Sequence, residues 1–407
     1  MTDFIEEPKR KTPVAETADI VVAGGGTAGI AAAVTAARRG LAVVLLEAAA
    51  APGGMVTHVT QWLSDYRNKG GFPRERVTAI QEDGAFQHPY YNPFRVVPIF
   101  DSLITDAGVS AYYLTQAVDV MCDAGRVTGV IAESREGRTA FPARIVIDAT
   151  GDADFEIGRP EDGRCQALSL PQLLTGFESD DVDIESELLP KLRKTLGAEP
   201  VLPYTNGKLR RLRGSCNSFY NMLGHQNVEN PVAQRDLSDA LIALREENGR
   251  LVTVLRALEE YSGIEYGPFA ALPGVRESRR ILGDYTISSD DLFSGRQHAD
   301  GLFTVTQGVD IHRCRPGEAS ITVRKVKPYH IPYRALLPKG IEGLLVAGRC
   351  ISGTHEALAS YRVISNAMAM GEAAAIAADF AIREGCTPRT VSGTAVQQEM
   401  AVAGYEL

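Results

Sequence analysis

A dense set of polar side chains follows one apolar segment near the end of the sequence. Residues 344–363 read LLVAGRCISGTHEALASYRV, so that His355 and Glu356 lie just past a predicted strand. Histidine titrates nearest to neutral pH, and an adjacent carboxylate can orient its ring. The pair therefore predicts a general base that takes a proton from oxygen or nitrogen of a bound molecule. The alternative is a histidine with a structural or cofactor-contacting role.

Three further stretches carry residues of comparable chemistry. GLFTVTQGVDIHR, on a predicted strand, contains His312 as a second candidate base. GVRESRRILGDY contains Arg276, a candidate anchor for a carboxylate or another anion. PYHIPYR offers Tyr333 as a further catalytic candidate. The alternatives are a solvated charged face for the arginines and a strand with its tyrosine rings on one face for PYHIPYR.

The element that must position these residues begins at residue 18. Residues 18–50 predict a strand, a glycine-rich loop, a small-residue helix and a second strand that ends on Glu47. The loop has the GxGxxG spacing, in which one glycine makes the turn, one admits a pyrophosphate and one lets the helix pack on the sheet. The terminal acid can accept hydrogen bonds from a ribose and disfavours a 2′-phosphate. The segment therefore predicts a site for FAD or NAD(H).

Three features favour FAD. Gly53 and Gly54 in APGGMVT let a loop pass near a ligand. Residues 112–152 predict a meander of three strands whose last member ends in small residues, as in flavin domains, where it passes beneath the adenine half. The strand LLVAG is followed by a predicted helix whose positive N-terminal end would stabilise a reduced flavin. The candidate FAD contacts are Gly24, Gly26, Thr27, Ala28, Gly29, Glu47, Gly54, Met55, Val118, Ala149, Gly151, Gly348, Arg349, Ser365 and Asn366.

Several of these contacts have alternative roles. Gly348 permits close approach of a cofactor, and Arg349 either neutralises a phosphate or forms an ion pair within the domain. We expect non-covalent FAD, although His58 and Cys350 are candidates for a covalent link.

Six blocks occur in the order seen in one protein family: GGGTAGIAAA, PGGMVT, IDATGDAD, GVRESRRILGDYTI, YHIPYRALLP and LLVAGRCISGTHEALASYRVISNAMAMGEAAAIAA. The sequence resembles the bacterial FAD-dependent oxidoreductases, which have the glutathione-reductase-like two-domain fold. The resemblance implies an α/β fold: a Rossmann-like FAD-binding domain, with a parallel sheet plus β-meander, and an inserted α+β substrate or cap domain. We expect a flexible lead at 1–16, the FAD domain at 17–60, 98–165 and 330–385, the cap at 61–97 and 166–329, and a C-terminal tail at 386–407.

Composition narrows the function. The 407 residues carry 51 acidic and 42 basic side chains, a net charge of −9, which argues against general binding to nucleic acid or anionic membranes. The charged first residues do not resemble a signal peptide, and no apolar run is long enough to span a bilayer. The six cysteines are scattered without a CxxC or metal-ligand spacing, which suits a reducing cytoplasm.

The sequence thus predicts an enzyme that takes hydride from an alcohol, amine or activated C–H of a small polar molecule and passes electrons to O₂ or a carrier. No second GxGxxG motif or redox cysteine pair occurs, so the electrons are expected to come from the substrate. A reductase or monooxygenase that borrows NAD(P)H is the alternative. A tRNA-modifying or non-catalytic FAD-binding protein is a remote one. The sequence is compatible with a homo-oligomer but contains no feature that marks an interface.

Overall fold

The computed structural model describes residues 8–58, 63–87, 90–155, 158–159, 165–197, 208–211, 219–221, 226–315, 318 and 321–407. Residues 1–7 of the predicted N-terminal lead lie outside this part of the chain. In the remainder of the lead, Ala15 donates its backbone N–H to the carbonyl of Ala140 at 2.9 Å, so the lead adds a short bridge to the edge of a strand.

The strands are β1 (Ala18–Ala23), β2 (Val43–Glu47), β3 (Phe86–Gln87), β4 (Tyr90–Tyr91), β5 (Ser110–Tyr113), β6 (Gln116–Asp123), β7 (Arg126–Ser134), β8 (Gly137–Asp148), β9 (Gly158–Arg159), β10 (Gln172–Thr175), β11 (Val182–Asp183), β12 (Lys208–Arg211), β13 (Phe219–Asn221), β14 (Glu265–Phe269), β15 (Arg280–Ile281), β16 (Gly301–Val305), β17 (Val309–His312), β18 (Ile321–Arg324), β19 (Tyr329–Pro332) and β20 (Leu344–Val346).

The α-helices are α1 (Thr27–Arg38), α2 (Met55–His58), α3 (Gly71–Glu82), α4 (Pro93–Asp106), α5 (Leu189–Leu196), α6 (Gln234–Leu255), α7 (Ser289–Ser294), α8 (His355–Tyr361), α9 (Ile364–Glu384) and α10 (Gly393–Val402). A π-helical turn spans Ile184–Leu188, and 3-10 turns span Glu259–Tyr261, Tyr333–Leu336 and Pro388–Thr390. None of the helices in the described part of the chain is both long and apolar enough to cross a membrane.

The largest sheet has the strand order β5-β2-β1-β8-β7-β6, with β20 also paired to β8. Strand β8 has two partners on one side, because it is long. Its first half runs antiparallel to β7, whereas Ile145–Asp148 lies between β1 and β20, parallel to both. The central strands β1 and β2 are apolar almost throughout, as expected for parallel strands covered on both faces. This confirms the predicted Rossmann-like sheet with its meander.

Helices α1 and α9 cover one face of this sheet and pack closely on each other. A Cβ at Gly371 of α9 would collide with the carbonyl oxygen of Ala28 in α1, so only glycine allows this approach. Glu372, on the same helix, is buried and accepts hydrogen bonds from the backbone of Phe72 at 2.8 Å and from Tyr405 at 2.5 Å. The helix thereby also holds the C-terminal segment.

A second layer is built on the antiparallel order β11-β12-β13-β10-β14. Its core joins Leu174 to leucines of α5 and α6, including Leu192 and Leu251. The apolar spacing of residues 179–196 and 236–263 predicts a helix in each. The first stretch contains β11, the π-helical turn, which Asp183 caps by accepting a hydrogen bond from Ser186 at 2.9 Å, and only then α5. In the second stretch α6 ends at Leu255.

GLFTVTQGVDIHR and SITVRKVKPYHIPYRALLP have the pattern of strands of one sheet. In the structure their strands instead form two separate pairs, β16 with β19 and β17 with β18. The break falls at Thr306, whose hydroxyl donates to Asp65 at 2.5 Å. The segment predicted as a C-terminal tail is also folded. Its helix α10 contacts α9 and β16, and Thr304 donates to the carbonyl of Glu406 at 2.9 Å.

Candidate active site at the carboxyl edge of the sheet

The glycine-rich loop connects the end of β1 to α1. A Cβ at Gly24 would lie 2.6 Å from the carbonyl oxygen of Ala149, and one at Gly29 would collide with the carbonyl of Gly24. A Cβ at Gly26 would meet nothing within 4 Å. Two glycines therefore allow close packing of the protein on itself, whereas Gly26 faces open space, where the predicted pyrophosphate would approach.

Glu47 holds this loop from the end of β2. Its carboxylate is 7% exposed and accepts hydrogen bonds at 2.6 Å from the backbone N–H groups of both Gly25 and Ala49. A cavity of about 350 Å³ begins beside it and is lined by Ala48, Leu114, Gln116, Glu133, Ser134 and Arg135. Val118 lies two residues further along β6. The cavity is thus where the meander was expected to meet an adenine.

The other candidate FAD contacts converge on the same edge of the sheet. Gly348 follows β20 with φ +96°, and a Cβ there would lie 3.2 Å from that of Ala28. Thr27 and Ala28 open α1, Met55 opens α2 next to Gly54, and Ala149 and Gly151 follow β8. The carboxyl ends of β1, β8 and β20 therefore lie side by side at one edge of the sheet, which is the usual ligand position in open α/β sheets. We call the space at this edge, next to Gly26 and Gly348, the crevice.

The start of α9 also belongs to this crevice. Its first turn has no side-chain cap, which leaves backbone N–H groups available to an acceptor. Ser365 donates its hydroxyl to the carbonyl of Ser64 at 2.7 Å. Asn366 is fully buried, yet neither its Oδ1 nor its Nδ2 has a hydrogen-bond partner among the described residues. An unpartnered buried amide fits a cofactor that donates and accepts hydrogen bonds.

Arg349 connects the sheet to the segment that carries Arg276. Its guanidinium donates to the carbonyl of Gly151 at 2.9 Å, to Asp152 at 2.7 Å and to the carbonyl of Val275. These contacts correspond to the alternative role considered for Arg349, an ion pair within the domain. They also bring residues 275–280 to the crevice.

A cluster of titratable groups lies beyond Arg349. His355, at the start of α8, has Nδ1 2.9 Å from the carboxylate of Glu277 and Nε2 3.9 Å from the Sγ of Cys314. Burial lowers the pKa of His355, but the hydrogen bonds to Cys314 and Glu277 outweigh it and raise the pKa to about 10. His355 is therefore protonated at neutral pH. Glu356, the carboxylate expected to orient it, instead accepts from Ser289 at 2.9 Å.

His312 lies at the end of β17, two residues before Cys314, in a different electrostatic setting. It is 9% exposed, and its Nε2 is 3.6 Å from Asp310. Burial lowers its pKa to about 4, with help from the positive charge of Arg276 and against the attraction of Asp310. His312 is therefore neutral where His355 is charged.

Arg276 and Arg362 border this second histidine. Arg276 donates to the carbonyl of Ala167 at 2.9 Å and to Ser169 at 3.2 Å. Arg362, at the end of α8, donates to Gln166 at 2.9 Å and to the carbonyl of Asp310 at 2.7 Å. The role predicted for Arg276, an anchor for a carboxylate or another anion, stays a prediction.

Tyr333 lies elsewhere. It is 2% exposed, and its hydroxyl donates to the carbonyl of Pro388 at 2.7 Å, in the C-terminal segment. No hydrogen bond in the described part of the chain links Tyr333 to His312 or His355. His58 also has a local partner, since its Nε2 is 3.1 Å from the carbonyl oxygen of Ala51.

Sequence reasoning missed three members of the cluster: Glu277, Cys314 and Gln166. Glu277 lies in the block GVRESRRILGDY, in which the arginines were the residues considered, because arginine is the usual anchor for anions. Gln166 accepts from the backbone N–H of His312 at 3.0 Å and so connects the two halves of the cluster.

The parallel sheet, its meander and the crevice at the carboxyl edge define an FAD-binding α/β fold. The chain belongs to the FAD dependent oxidoreductase family, whose model matches residues 19–400. Its cofactor is FAD, which Asn366, Gly26 and the uncapped start of α9 would hold.

Among the solved structures to which the chain is similar are the following three. A geranylgeranyl bacteriochlorophyll reductase-like protein from Thermoplasma acidophilum is 12% identical, with 96% of this chain and 92% of that chain covered and a TM-score of 0.47. The flavin-dependent brominase Bmp2 is 15% identical, with 95% and 83% covered and a TM-score of 0.48. The p-nitrophenol 4-monooxygenase PnpA from Pseudomonas putida is 13% identical, with 95% and 84% covered and a TM-score of 0.46. Among the curated proteins, none matches the chain.

Proposed function

We propose that this oxidoreductase removes a hydride from an alcohol, amine or activated C–H group of a small polar molecule and that O₂ or a carrier then takes the electrons. The observation that carries the proposal is a pair of histidines, His312 and His355, that both contact Cys314 and differ in protonation at pH 7, because the pKa of His312 is lowered and that of His355 is raised. Environments that push the pKa values of paired groups apart are typical of acid–base sites. Bound FAD supplies the two-electron acceptor.

His312 is the group suited to accept the substrate proton. It is neutral at pH 7, because its pKa is lowered to about 4 by burial and by Arg276. Asp310, 3.6 Å from Nε2, helps to orient the ring, and a neutral imidazole has one nitrogen that accepts a proton. When an alcohol is oxidised, the C–H bond loses hydride and the O–H bond loses its proton to this nitrogen, so that a carbonyl remains.

Positive charge around His312 indicates the kind of substrate. Arg276 and Arg362 both lower the pKa of His312 and therefore both act on the space around it. Arginine binds carboxylates in a bidentate manner, and an anion in this space would also offset the charge of two half-buried guanidinium groups. A small hydroxy acid or amino acid fits this environment better than an uncharged alcohol.

The test is an anaerobic visible spectrum of the purified protein, recorded while NADH, NADPH and a panel of alcohols, amines and hydroxy acids are added singly. We expect a hydroxy or amino acid to bleach the flavin bands and its uncharged analogue to bleach them more slowly. His312→Asn should slow bleaching about a hundredfold, whereas His298→Asn, a half-buried histidine whose ring packs on Tyr285, should not. Bleaching by a nicotinamide alone would contradict the proposal and favour a reductase or monooxygenase.

A further inference from the structure

Three side chains from distant parts of the sequence form a linear arrangement. The Sγ of Cys314 is 3.9 Å from Nε2 of His355, and Nδ1 of the same ring is 2.9 Å from the carboxylate of Glu277. A thiol on one ring nitrogen and an orienting carboxylate on the other is the arrangement of an activated nucleophile.

The carboxylate in this arrangement is rigidly held. Glu277 is 1% exposed and accepts hydrogen bonds from Arg280 at 2.6 Å and from the side chain of Gln166 at 3.3 Å. Burial tends to raise its pKa, but His355 and Arg280 lower it overall, so it remains a carboxylate. The ring of His355 is thus fixed in orientation, and its positive charge is stabilised.

Cys314 differs from the other cysteines near the crevice. Cys165 and Cys350 are buried, and burial raises the pKa of Cys165 to about 12 and that of Cys350 still further. Cys314 is only half-buried and follows β17 directly. The thiolate is the reactive form of a cysteine, and the ring of His355 is placed where its positive charge can stabilise that form.

We propose that Cys314 is a nucleophile, paired with His355, that adds reversibly to the carbonyl carbon of a small molecule in the crevice. In this step the thiolate sulfur forms a bond to carbon, the π bond of the carbonyl breaks, and the oxygen takes the proton from Nε2 of His355. The product is a neutral thiohemiacetal, and the step requires no oxidant. The inference extends the proposed function, since oxidation of an alcohol yields a carbonyl compound.

Charged and titratable groups on every neighbouring element influence this pair. Glu277 precedes β15 and Arg280 begins it, while Arg362 comes from the end of α8. Glu318 accepts the backbone N–H of Cys314 at 2.9 Å. Cys165 interacts electrostatically with both Cys314 and Glu277. Substitution of His355 removes the cation whose Nε2 lies 3.9 Å from the sulfur.

The first experiment is alkylation of the holoenzyme with iodoacetamide, with the rate at each cysteine followed by peptide mass mapping at pH 6 and pH 8.5. Alkylation of an ordinary thiol is roughly a hundredfold slower at pH 6 than at pH 8.5. Cys122, which is exposed on β6, serves as the reference thiol in the same sample. We expect Cys314 to react faster than Cys122 at pH 6, and His355→Asn to remove this advantage.

The buried Cys165 and Cys350 report on folding in the same experiment, because both should stay unlabelled in every intact variant. If Cys314 reacts no faster than Cys122 at pH 6 in the intact wild-type protein, the proposal is wrong. Equal rates for Cys314 in the wild type and in His355→Asn would also overturn it.

The second experiment examines the carbonyl ligand. Glyceraldehyde should slow alkylation of Cys314 reversibly while leaving Cys122 unaffected, and glycerol, which lacks the carbonyl, should have no effect. Rapid alkylation without protection by glyceraldehyde would refute the assignment of a carbonyl ligand. Neither alkylation measurement depends on turnover. A failure of the proposal for Cys314 is therefore distinguishable from a failure of the proposed function, in which no substrate bleaches the flavin.

Discussion

The Nδ1 atom of His355 and the carboxylate of Glu277 lie 2.9 Å apart, although 78 residues separate them in the chain. The contact joins α8, which follows the last parallel strand, to the segment that precedes β15. It therefore connects the crevice at the edge of the sheet to the layer that covers it. The same contact helps to raise the pKa of His355, whereas burial and Arg276 lower that of His312.

The two histidines should make stability depend on pH in two separate windows. The pKa of His355 is raised from 6.5 to about 10, so its contribution is complete below pH 6.5 and is lost as pH rises towards 10. The pKa of His312 is lowered from 6.5 to about 4, so stability falls as pH drops from 6.5 towards 4.

Urea unfolding of the wild type, His355→Asn and His312→Asn across pH 4 to 10 would measure these windows. The difference in the free energy of unfolding between wild type and His355→Asn should shrink only above pH 6.5. The loss of stability below pH 6.5 should be smaller in His312→Asn than in the wild type. A difference that does not vary with pH in either variant would show that the corresponding histidine has the same pKa in the folded and unfolded chain.

Replacement of Glu277 by glutamine should destabilise the protein strongly. Arg280 is buried with it at a distance of 2.6 Å, and the variant would leave this guanidinium without its carboxylate. Removal of one partner of a buried ion pair costs about 3 kcal/mol of the free energy of unfolding. Chemical denaturation at pH 7 measures the loss, with Glu246→Gln as the control because both side chains of its ion pair with Arg250 are exposed. A loss below about 1 kcal/mol would contradict this account.

The fold could be predicted from sequence because local patterns determine it. β1 is apolar apart from Asp19, the GxGxxG loop follows at once, and the turns of the meander are marked by Gly125 and Gly137, both with positive φ. The cofactor crevice follows from the same elements, since the ends of neighbouring parallel strands meet at one edge.

The catalytic cluster could be predicted only in part. His355 and His312 stand out because histidine is rare in the sequence and suited to proton transfer. Their pKa values depend on partners that come from other segments, such as Glu277 for His355 and Arg276 for His312. Which carboxylate faces a ring is decided by tertiary packing, and adjacency in sequence pointed to Glu356 instead.

Two glycines of the loop should respond differently to the same substitution. Gly26→Ala introduces a methyl group into open space, with φ −66°, which alanine adopts readily, so the fold should persist while FAD binds more weakly. Gly29→Ala forces a methyl group onto the carbonyl of Gly24 and should lower stability as well. Urea unfolding of the apoprotein and titration with FAD distinguish the two effects. The prediction is wrong if Gly26→Ala binds FAD as tightly as the wild type.

Asn366 offers a test in which the apoprotein and the holoenzyme should change in opposite directions. Without a partner, its buried amide costs about 1–3 kcal/mol, so Asn366→Leu, similar in shape, should raise the melting temperature of the apoprotein. With FAD bound, the same variant loses the hydrogen bonds that the amide provides, and the stabilisation by added FAD should shrink.

Thermal melts with and without FAD measure both effects. Ser365→Ala is the matched control from the same helical turn, because its hydroxyl already donates to the carbonyl of Ser64 at 2.7 Å. Its loss should lower stability in both states by a similar amount, about 1 kcal/mol. If Asn366→Leu destabilises the apoprotein as much as Ser365→Ala does, the amide has a partner in the protein itself and is not reserved for the cofactor.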